Sequence, residues 1–384
     1  MEGKRFIKTL RLENFLSFGS EGEEIELQPL NVLVGANNSG KSNLIEAFGV
    51  LRATPLDLSA YFRLNGGVSQ FLYKGAKMSN CARIKAIVDY SEGLQDLSYE
   101  LIFKSTQGRL QLVDEIVENV SANTVKNSIV FEASFENDRY LDSIETPPIV
   151  ELSQSILSKK KDPVRHPKLS YLGSNFYNTK FYRQLPMGRY SEPNNDSKAN
   201  SNGYSILENR SNLGLVLNNL QYRIGTQKVI ETLQKFHTTA LELIINISEG
   251  TGKIFIREKG FAQPFSEDRL SDGTLRYLFL MALLLDPTPP PLICIEEPEK
   301  GFHPDTHPII AEMLVEASQR TQLIITTNSD FLVSALSEYP ESLIVCERDE
   351  KGSNLKHLDL DSVEESLKHY SLGDLWRMGE IGGN

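Results

Sequence analysis

Apolar positions divide the chain into three stretches of different rhythm. In the first, Phe6 to Leu12 alternates apolar and polar residues, Ile25 to Leu27 is short, and Leu30 to Val34 is a nearly continuous apolar run. All three read as strands. From Ser42 to Leu51 the apolar residues Leu44, Ile45, Phe48 and Leu51 fall at helical spacing. Arg83 to Tyr90 and Leu97 to Lys104 predict a hairpin closed by Ser91 to Asp96. The last stretch alternates strand and helix. Ile254 to Arg257, Leu292 to Ile295, Gln322 to Thr326 and Leu343 to Cys346 read as strands, while Leu275 to Leu285, Pro308 to Gln319 and Phe331 to Ser337 read as helices. Strands that are apolar along their whole length and separated by helices predict a parallel sheet covered on both faces.

The middle, residues 106–250, has no such regularity. Leu213, Leu215, Val216, Leu220, Ile230, Leu233, Phe236 and Leu241 predict mostly helix between Asn212 and Leu243. No heptad run persists there, so no long coiled-coil arm is expected. Glu192 to Gly203 is polar, turn-rich and aperiodic, which predicts a surface loop. The expected division is an N-terminal lobe at 1–105, an inserted lid at 106–250 facing a partner or nucleic acid, and a C-terminal lobe at 251–384.

Composition narrows the class. The chain has 384 residues, of which 40% are hydrophobic and 24% charged, so it can bury a sizeable core. A net charge of −11 argues against a free-standing basic protein that coats DNA, while a local basic patch stays open. Cys81, Cys294 and Cys346 have no metal-ligand spacing and suit a reducing cytoplasm. The N-terminus lacks an apolar signal-type run, and Leu278 to Leu285 is too short to span a bilayer, so a cytoplasmic chain without membrane contact is expected.

The chemistry starts after the third strand. Gly35-Ala36-Asn37-Asn38-Ser39-Gly40-Lys41-Ser42 matches the pattern GxxxxGK[ST], with a strand before it and a helix opening at Ser42. Glycines let such a loop curl so that successive backbone N–H groups, Asn43 following on, point at phosphate oxygens, and the helix N-terminus adds positive dipole. Lys41 is expected on the terminal phosphates of ATP and Ser42 on Mg²⁺. At the end of Leu292 to Ile295 stand two adjacent acids, at the strand edge where ligands sit in such sheets. Consecutive acids cannot share one direction. Glu296 is therefore expected to hold Mg²⁺ and Glu297 to act as the catalytic base.

Leu270-Ser271-Asp272-Gly273-Thr274 opens the helix before that strand. It resembles the LSGGQ signature of ABC-type ATPases, with Asp272 and Thr274 as variants. Together with Ile295-Glu-Glu-Pro-Glu299, Gly301-Phe-His-Pro304 and Thr326-Thr-Asn-Ser329, the order of segments resembles the RecF/SMC-like ABC ATPases. It is closer still to a compact AAA-type group that includes the ATPase lobe of OLD nucleases and phage-defence ATPases. Leu10 to Phe18, Leu372 to Trp376 and Ile381 to Gly383 fit that group as well. The resemblance implies an α/β ABC-type ATPase head: a phosphate-loop sheet with helices on both faces, an N-terminal antiparallel lobe and an inserted α+β or helical lid. It implies an ATP-dependent homodimer or higher homo-oligomer in which Ser271, Asp272 and Gly273 complete the partner's ATP site in trans. It also implies a separately encoded effector, a nuclease or toxin, in anti-phage defence.

Two departures matter. Where the family carries a histidine that senses the terminal phosphate, this chain has Asn328, which cannot carry a proton, so slow hydrolysis is expected. The glutamine loop has one candidate, Gln70. Two other signals are set aside. His303 and His307 have zinc-ligand spacing without the HExxH glutamate, and Pro304 better suits a helix start. Lys159 to Lys161, with Arg165 and Lys168, and the aromatic run Tyr171, Phe176, Tyr177, Phe181 and Tyr182 could meet nucleic acid, but a solvated face and core packing are the commoner outcomes. The rival readings are a RecF-like DNA repair ATPase acting on DNA directly and a scaffold that binds ATP without useful turnover. The short tail after Ser329 leaves no room for a nuclease domain of the OLD type, so DNA cleavage is expected from another chain.

Overall fold

The structure, a computed structural model, describes residues 3–75, 80–93, 95–120, 128–134, 139–142, 153–183, 206–207, 211–248 and 250–382. The N-terminal lobe is an antiparallel sheet in the order β2-β1-β4-β5-β6-β7-β8. Its strands are β1 (Ile7–Glu13), β2 (Glu23–Glu26), β4 (Cys81–Val88), β5 (Asp96–Thr106), β6 (Arg109–Val120), β7 (Ser128–Ser134) and β8 (Arg139–Asp142). Between β2 and β4 run β3 (Leu30–Val34), α1 (Lys41–Ala53) and α2 (Leu58–Leu64).

The strand β3 lies at the middle of a second sheet, β16-β15-β3-β14-β13-β9. Its members are β9 (Lys180–Tyr182), β13 (Leu292–Glu296), β14 (Gln322–Thr326), β15 (Leu343–Asp349) and β16 (Gly352–His357). All pairings in it are parallel except that of β15 with β16. The reason lies in the strand sequences. Alternate side chains of one strand serve two different cores, as period two requires. Leu33, Cys294, Ile324, Ile344 and Cys346 join one core with α1, the N-terminal sheet, α3 (Ile156–Lys159) and α4 (Pro167–Asn178). Val32, Val34, Ile293, Ile295, Leu323, Ile325 and Val345 join the other. That second core also holds α5 (Leu213–Ile224), α6 (Thr226–Phe236), α7 (Asp272–Leu284), α8 (His307–Ser318), α9 (Asp330–Ala335) and α11 (Leu372–Arg377), with Val363 of α10 (Leu360–Leu367). A three-stranded sheet of β10 (Ala240–Ser248), β11 (Thr251–Glu258) and β12 (Phe265–Ser266) packs there too.

The two sheets are bolted together by Gln322 at the start of β14. Its Oε1 accepts from the backbone N–H groups of Phe6 (3.2 Å) and Ile7 (2.8 Å), and its Nε2 donates to the carbonyls of Ile7 (2.8 Å) and Gln28 (3.1 Å). A buried amide whose donors and acceptor are all satisfied fixes one geometry.

The expected borders run through paired strands. The one at 105/106 falls at the end of β5, whose antiparallel partner β6 would lie across it, and the one at 250/251 splits the β10–β11 hairpin. Nor do the described residues of 106–250 form a separate lid. β6 to β8 extend the N-terminal sheet, β9 joins the central sheet, and α3 is tied down by the buried Glu115 on β6. That carboxylate accepts from Tyr99 Oη (2.9 Å), Ser155 Oγ (2.6 Å) and the Ile156 N–H (2.9 Å). The helix expected to run to Leu243 ends at Phe236, because the sequence from Ala240 pairs as β10. The polar stretch 192–203 lies outside the described residues. Of the interleaved aromatics, Phe176, Phe181 and Tyr182 are buried core residues and Tyr177 is exposed.

Candidate functional site

The C-terminal ends of β3, β13, β14 and β15 surround one cleft of about 610 Å³, lined mostly by polar groups. Parallel strands all deliver their following loops to the same edge, which is why segments far apart in sequence meet there. Between β3 and α1 the chain turns through Gly35 (φ 147°) and Gly40 (φ 114°). A Cβ on Gly35 would lie 2.2 Å from the Cys346 carbonyl oxygen, and one on Gly40 would lie 2.4 Å from Ser353 Oγ, so neither position admits a side chain. Ala36, Asn37 and Asn38 are exposed at the crest, Ser39 is buried beneath it, and Ser42 faces out beside the partly buried Asn43. Lys41 Nζ donates back to the carbonyls of Gly35 (2.5 Å) and Ala36 (3.0 Å), which holds the ammonium at the mouth of the loop. Burial pulls its pKa down from the ordinary lysine value.

The helix α1 starts at Gly40 with no side-chain cap and no acid in its first turn. Its first N–H groups are therefore left to whatever enters the cleft. Asn43 Nδ2 donates to Ser17 Oγ (2.7 Å), which also accepts from Ser353 Oγ (2.7 Å), so the first turn is braced from outside.

The two acids after Ile295 do diverge. Glu296 is the last residue of β13 and half-buried, and burial raises its pKa against the lowering pull of Arg183. Arg183, just past β9, is paired with Glu46 of α1, whose carboxylate also accepts from Tyr61 Oη. Glu297 turns into the left-handed region at φ 48°, an uncommon conformation for a residue with a side chain. Its N–H donates to the Thr326 carbonyl (2.9 Å). Its Oε2 accepts from Lys300 Nζ (2.7 Å) and its Oε1 from Asn328 Nδ2 (2.5 Å). The Lys300 bond, above all, holds the Glu297 carboxyl below its usual range. A fully ionised carboxylate at this place can accept a hydrogen bond from water. Behind it, Glu299 is buried and its carboxyl is pushed up by desolvation. Its Oε1 accepts from Thr327 Oγ1 (2.6 Å) and the Asn328 N–H (3.3 Å), which fixes the loop that carries Asn328.

This arrangement suits an anionic ligand. The loop offers N–H groups, an ammonium and a helix N-terminus, while the far wall offers carboxylates. The donors present also fit a hard divalent cation. Ser42 opens into the cleft and Glu296 borders it, and an oxygen-only set beside phosphate suits Mg²⁺.

Two expectations are not brought to the cleft. Gln70 is exposed, accepts a hydrogen bond from Lys74 Nζ (2.6 Å) and does not line the site. Ser271, Asp272 and Gly273 open α7 at the surface and are not part of this chain's cleft. There Ser271 Oγ accepts from the Thr274 N–H (3.1 Å) as an ordinary helix cap. His307 Nδ1 hydrogen-bonds Ser329 Oγ (2.8 Å), and His303 caps the short turn at Pro304 to Thr306.

Sequence reasoning missed Glu299, Arg183 and Arg348. Glu299 stood in a run of acids that gave no sign of which was buried. Arg183 belongs to a three-residue strand, too short to show a period. Arg348 lines the cleft from the end of β15 and sits in no recognised pattern.

Residues 30–334 match the family model described as AAA domain, putative AbiEii toxin, Type IV TA system. The chain belongs to this family. Among solved structures, this family member is similar to an SMC head bound to the C-winged helix domain of ScpA. That likeness has 15% identity and a TM-score of 0.57, covering 94% of this chain and 100% of that one. It is also similar to the SMC heads of Pyrococcus furiosus, with 14% identity, a TM-score of 0.54 and coverage of 94% and 98%. The Pyrococcus yayanosii head gives 12%, 0.52, and 94% and 99%. At such identities the likeness speaks for the fold, that of an ABC-type ATPase head. By family the chain is an AAA-type ATPase, and nucleotide binding with Mg²⁺ belongs to that family in general. No described helix is long and apolar enough to cross a membrane.

Proposed function

We propose that this chain binds and hydrolyses Mg²⁺-ATP in composite sites of a homodimer and acts as a switch on a separately encoded effector in anti-phage defence. One observation carries the reading. Lys41, Ser42, Glu296, Glu297 and Asn328 line a single cleft, whereas the signature residues lie outside it, with Ser271 and Asp272 exposed and Gly273 partly so. This supports a reading in which one chain supplies most of an ATP site and a second copy the rest.

In this reading the phosphate loop and the uncapped start of α1 bind the phosphates, and Lys41 leaves its two carbonyls for the terminal ones. Ser42 and Glu296 hold the metal. Mg²⁺, when bound, neutralises charge on the β- and γ-phosphates. Glu297 orients the attacking water and accepts its proton, and Asn328 keeps the carboxylate in place. Ser271 of a second copy completes the site. The exchange of histidine for Asn328 makes turnover slow. The family description, which names a putative toxin of a toxin–antitoxin system, supports an output in growth control or defence. The solved SMC head that carries a winged-helix domain supports docking of a second polypeptide on this fold.

The test is the oligomeric state of Glu297→Gln protein in ultracentrifugation with millimolar ATP and Mg²⁺. The amide keeps the shape but cannot take the proton, so ATP binds, turnover falls by roughly 10²-fold or more, and a dimer accumulates. A protein that stays monomeric with ATP bound would overturn the composite site.

A further inference from the structure

Arg348 lies across the cleft from the acids. The strand order β15-β3-β14-β13 gives the cleft two different flanks. Glu296, Glu297 and Asn328 stand at the ends of β13 and β14 on one side of the phosphate loop, and Arg348 stands near the end of β15 on the other. Its Nη1 is 3.5 Å from the carbonyl oxygen of Asn38, the outer limit of a hydrogen bond, so the guanidinium is placed but hardly engaged.

The acids beside it in sequence are committed elsewhere. Glu347 is paired with Lys356 (3.8 Å). Asp349 accepts from the N–H groups of Lys351 (2.7 Å) and Gly352 (3.1 Å) and from Asn354 Nδ2 (3.1 Å), which closes the β15–β16 turn. Among the described residues Arg348 forms no ion pair. Its support is rigid. Just past the turn, the Ser353 N–H donates to the Ser17 carbonyl (2.8 Å), and Ser353 Oγ donates to Ser17 Oγ, the same hydroxyl that braces α1 through Asn43. The hairpin that carries Arg348 and the helix that faces the phosphates are therefore fixed to one point.

We infer that Arg348 is a nucleotide-binding residue for the inner phosphates, the part shared by ATP and ADP. This rests on the reading of the cleft as an ATP site. In that reading the terminal phosphate must face Glu297, the proposed base, and Asn328. The remainder of the nucleotide then extends over the loop toward β15. A guanidinium there presents a fork of donors suited to phosphate oxygens.

The experiment measures dissociation constants of ATP and ADP for the full chain, wild type, Arg348→Ala, Arg348→Lys and Lys41→Ala, by fluorescence of a labelled nucleotide and its displacement. Arg348→Ala is expected to weaken ATP and ADP by the same factor, roughly tenfold or more, as for hydrogen bonds to charged groups. Arg348→Lys should recover part of the loss, and the defect should shrink at high salt. A loss confined to ATP would place Arg348 at the terminal phosphate and overturn the inference. If Lys41→Ala abolishes binding while Arg348→Ala is neutral, the inference alone fails. If neither variant changes binding, the ATP-site reading fails and takes this one with it. Arg348 is exposed, so an unchanged melting temperature is the folding control.

Discussion

Two helices of this molecule begin in opposite ways. The first, α1, starts on a glycine in the left-handed region, with no side chain over its first turn. The second, α7, starts on Ser271, whose hydroxyl caps the Thr274 N–H and lies 2.9 Å from Thr274 Oγ1. One helix leaves its N-terminal donors open to a ligand in its own cleft. The other satisfies a donor with the very side chain expected to reach a partner's nucleotide. The difference teaches that the two halves of the proposed site are not equally ready. In the proposed site the residues of the cleft already stand together, whereas the signature serine would have to trade its cap for phosphate. A serine cap is worth about 1 kcal/mol, a small cost beside charge-assisted hydrogen bonds to phosphate.

The largest expected effect breaks the α1 half. Lys41→Ala removes the ammonium at the loop mouth, and ATP affinity should fall at least 100-fold, which is about 2.7 kcal/mol. Titration calorimetry checks this, and full affinity in a folded variant would sink the phosphate-loop assignment. Ser271→Arg attacks the α7 half and should leave ATP binding by the isolated chain intact while stopping hydrolysis. Mixed with Lys41→Ala protein, it should regain roughly a quarter of the wild-type activity, since random pairing gives half the dimers one intact site. No recovery between variants shown to exchange would mean that each chain's site is self-contained. A smaller effect is expected from Glu296→Gln. Affinity for ATP measured with EDTA should match wild type, and only the gain on adding Mg²⁺ should shrink. Equal loss with and without Mg²⁺ would remove Glu296 from the metal. The smallest concerns Asn328→His, expected to speed turnover a few-fold because imidazole can respond to phosphate charge. Slower turnover would show that the bond from Asn328 to Glu297 matters more than phosphate sensing.

Most of the cleft was legible in the sequence because its parts obey local rules. The phosphate loop has fixed spacing, and β13, β14 and the first part of β15 are mostly apolar, so strand type and the edge that bears the cleft followed from residue pattern. The N-terminal sheet was legible only as hairpins. What failed was pairing that no local pattern announces. The strand β9 has three residues and exists because β13 lies beside it. The border placed at 250 cut a hairpin, since Gly250 lies in the turn between β10 and β11. Leu241 continued the helical spacing of α6, yet β11 draws its surroundings into a strand. Gln70 had the right residue type and no positional signal, and it lies at the surface. Arg348 had neither pattern nor neighbouring motif, since its place follows from the order of strands in the sheet.

That order has a consequence for the birth of the protein. The strand that leads into the phosphate loop is wedged between β14 and β15, and Asn31 bonds the Leu323 carbonyl across 292 residues of chain. Contacts of such long range are slow to form, since the intervening chain must first be ordered. A ribosome adding about 5–20 residues per second therefore exposes the loop many seconds before its walls exist. Nascent or prematurely terminated chains should carry the loop sequence without an ATP site. If the proposed switch role holds, a protein whose cleft is completed only by its last third is silent during its own synthesis.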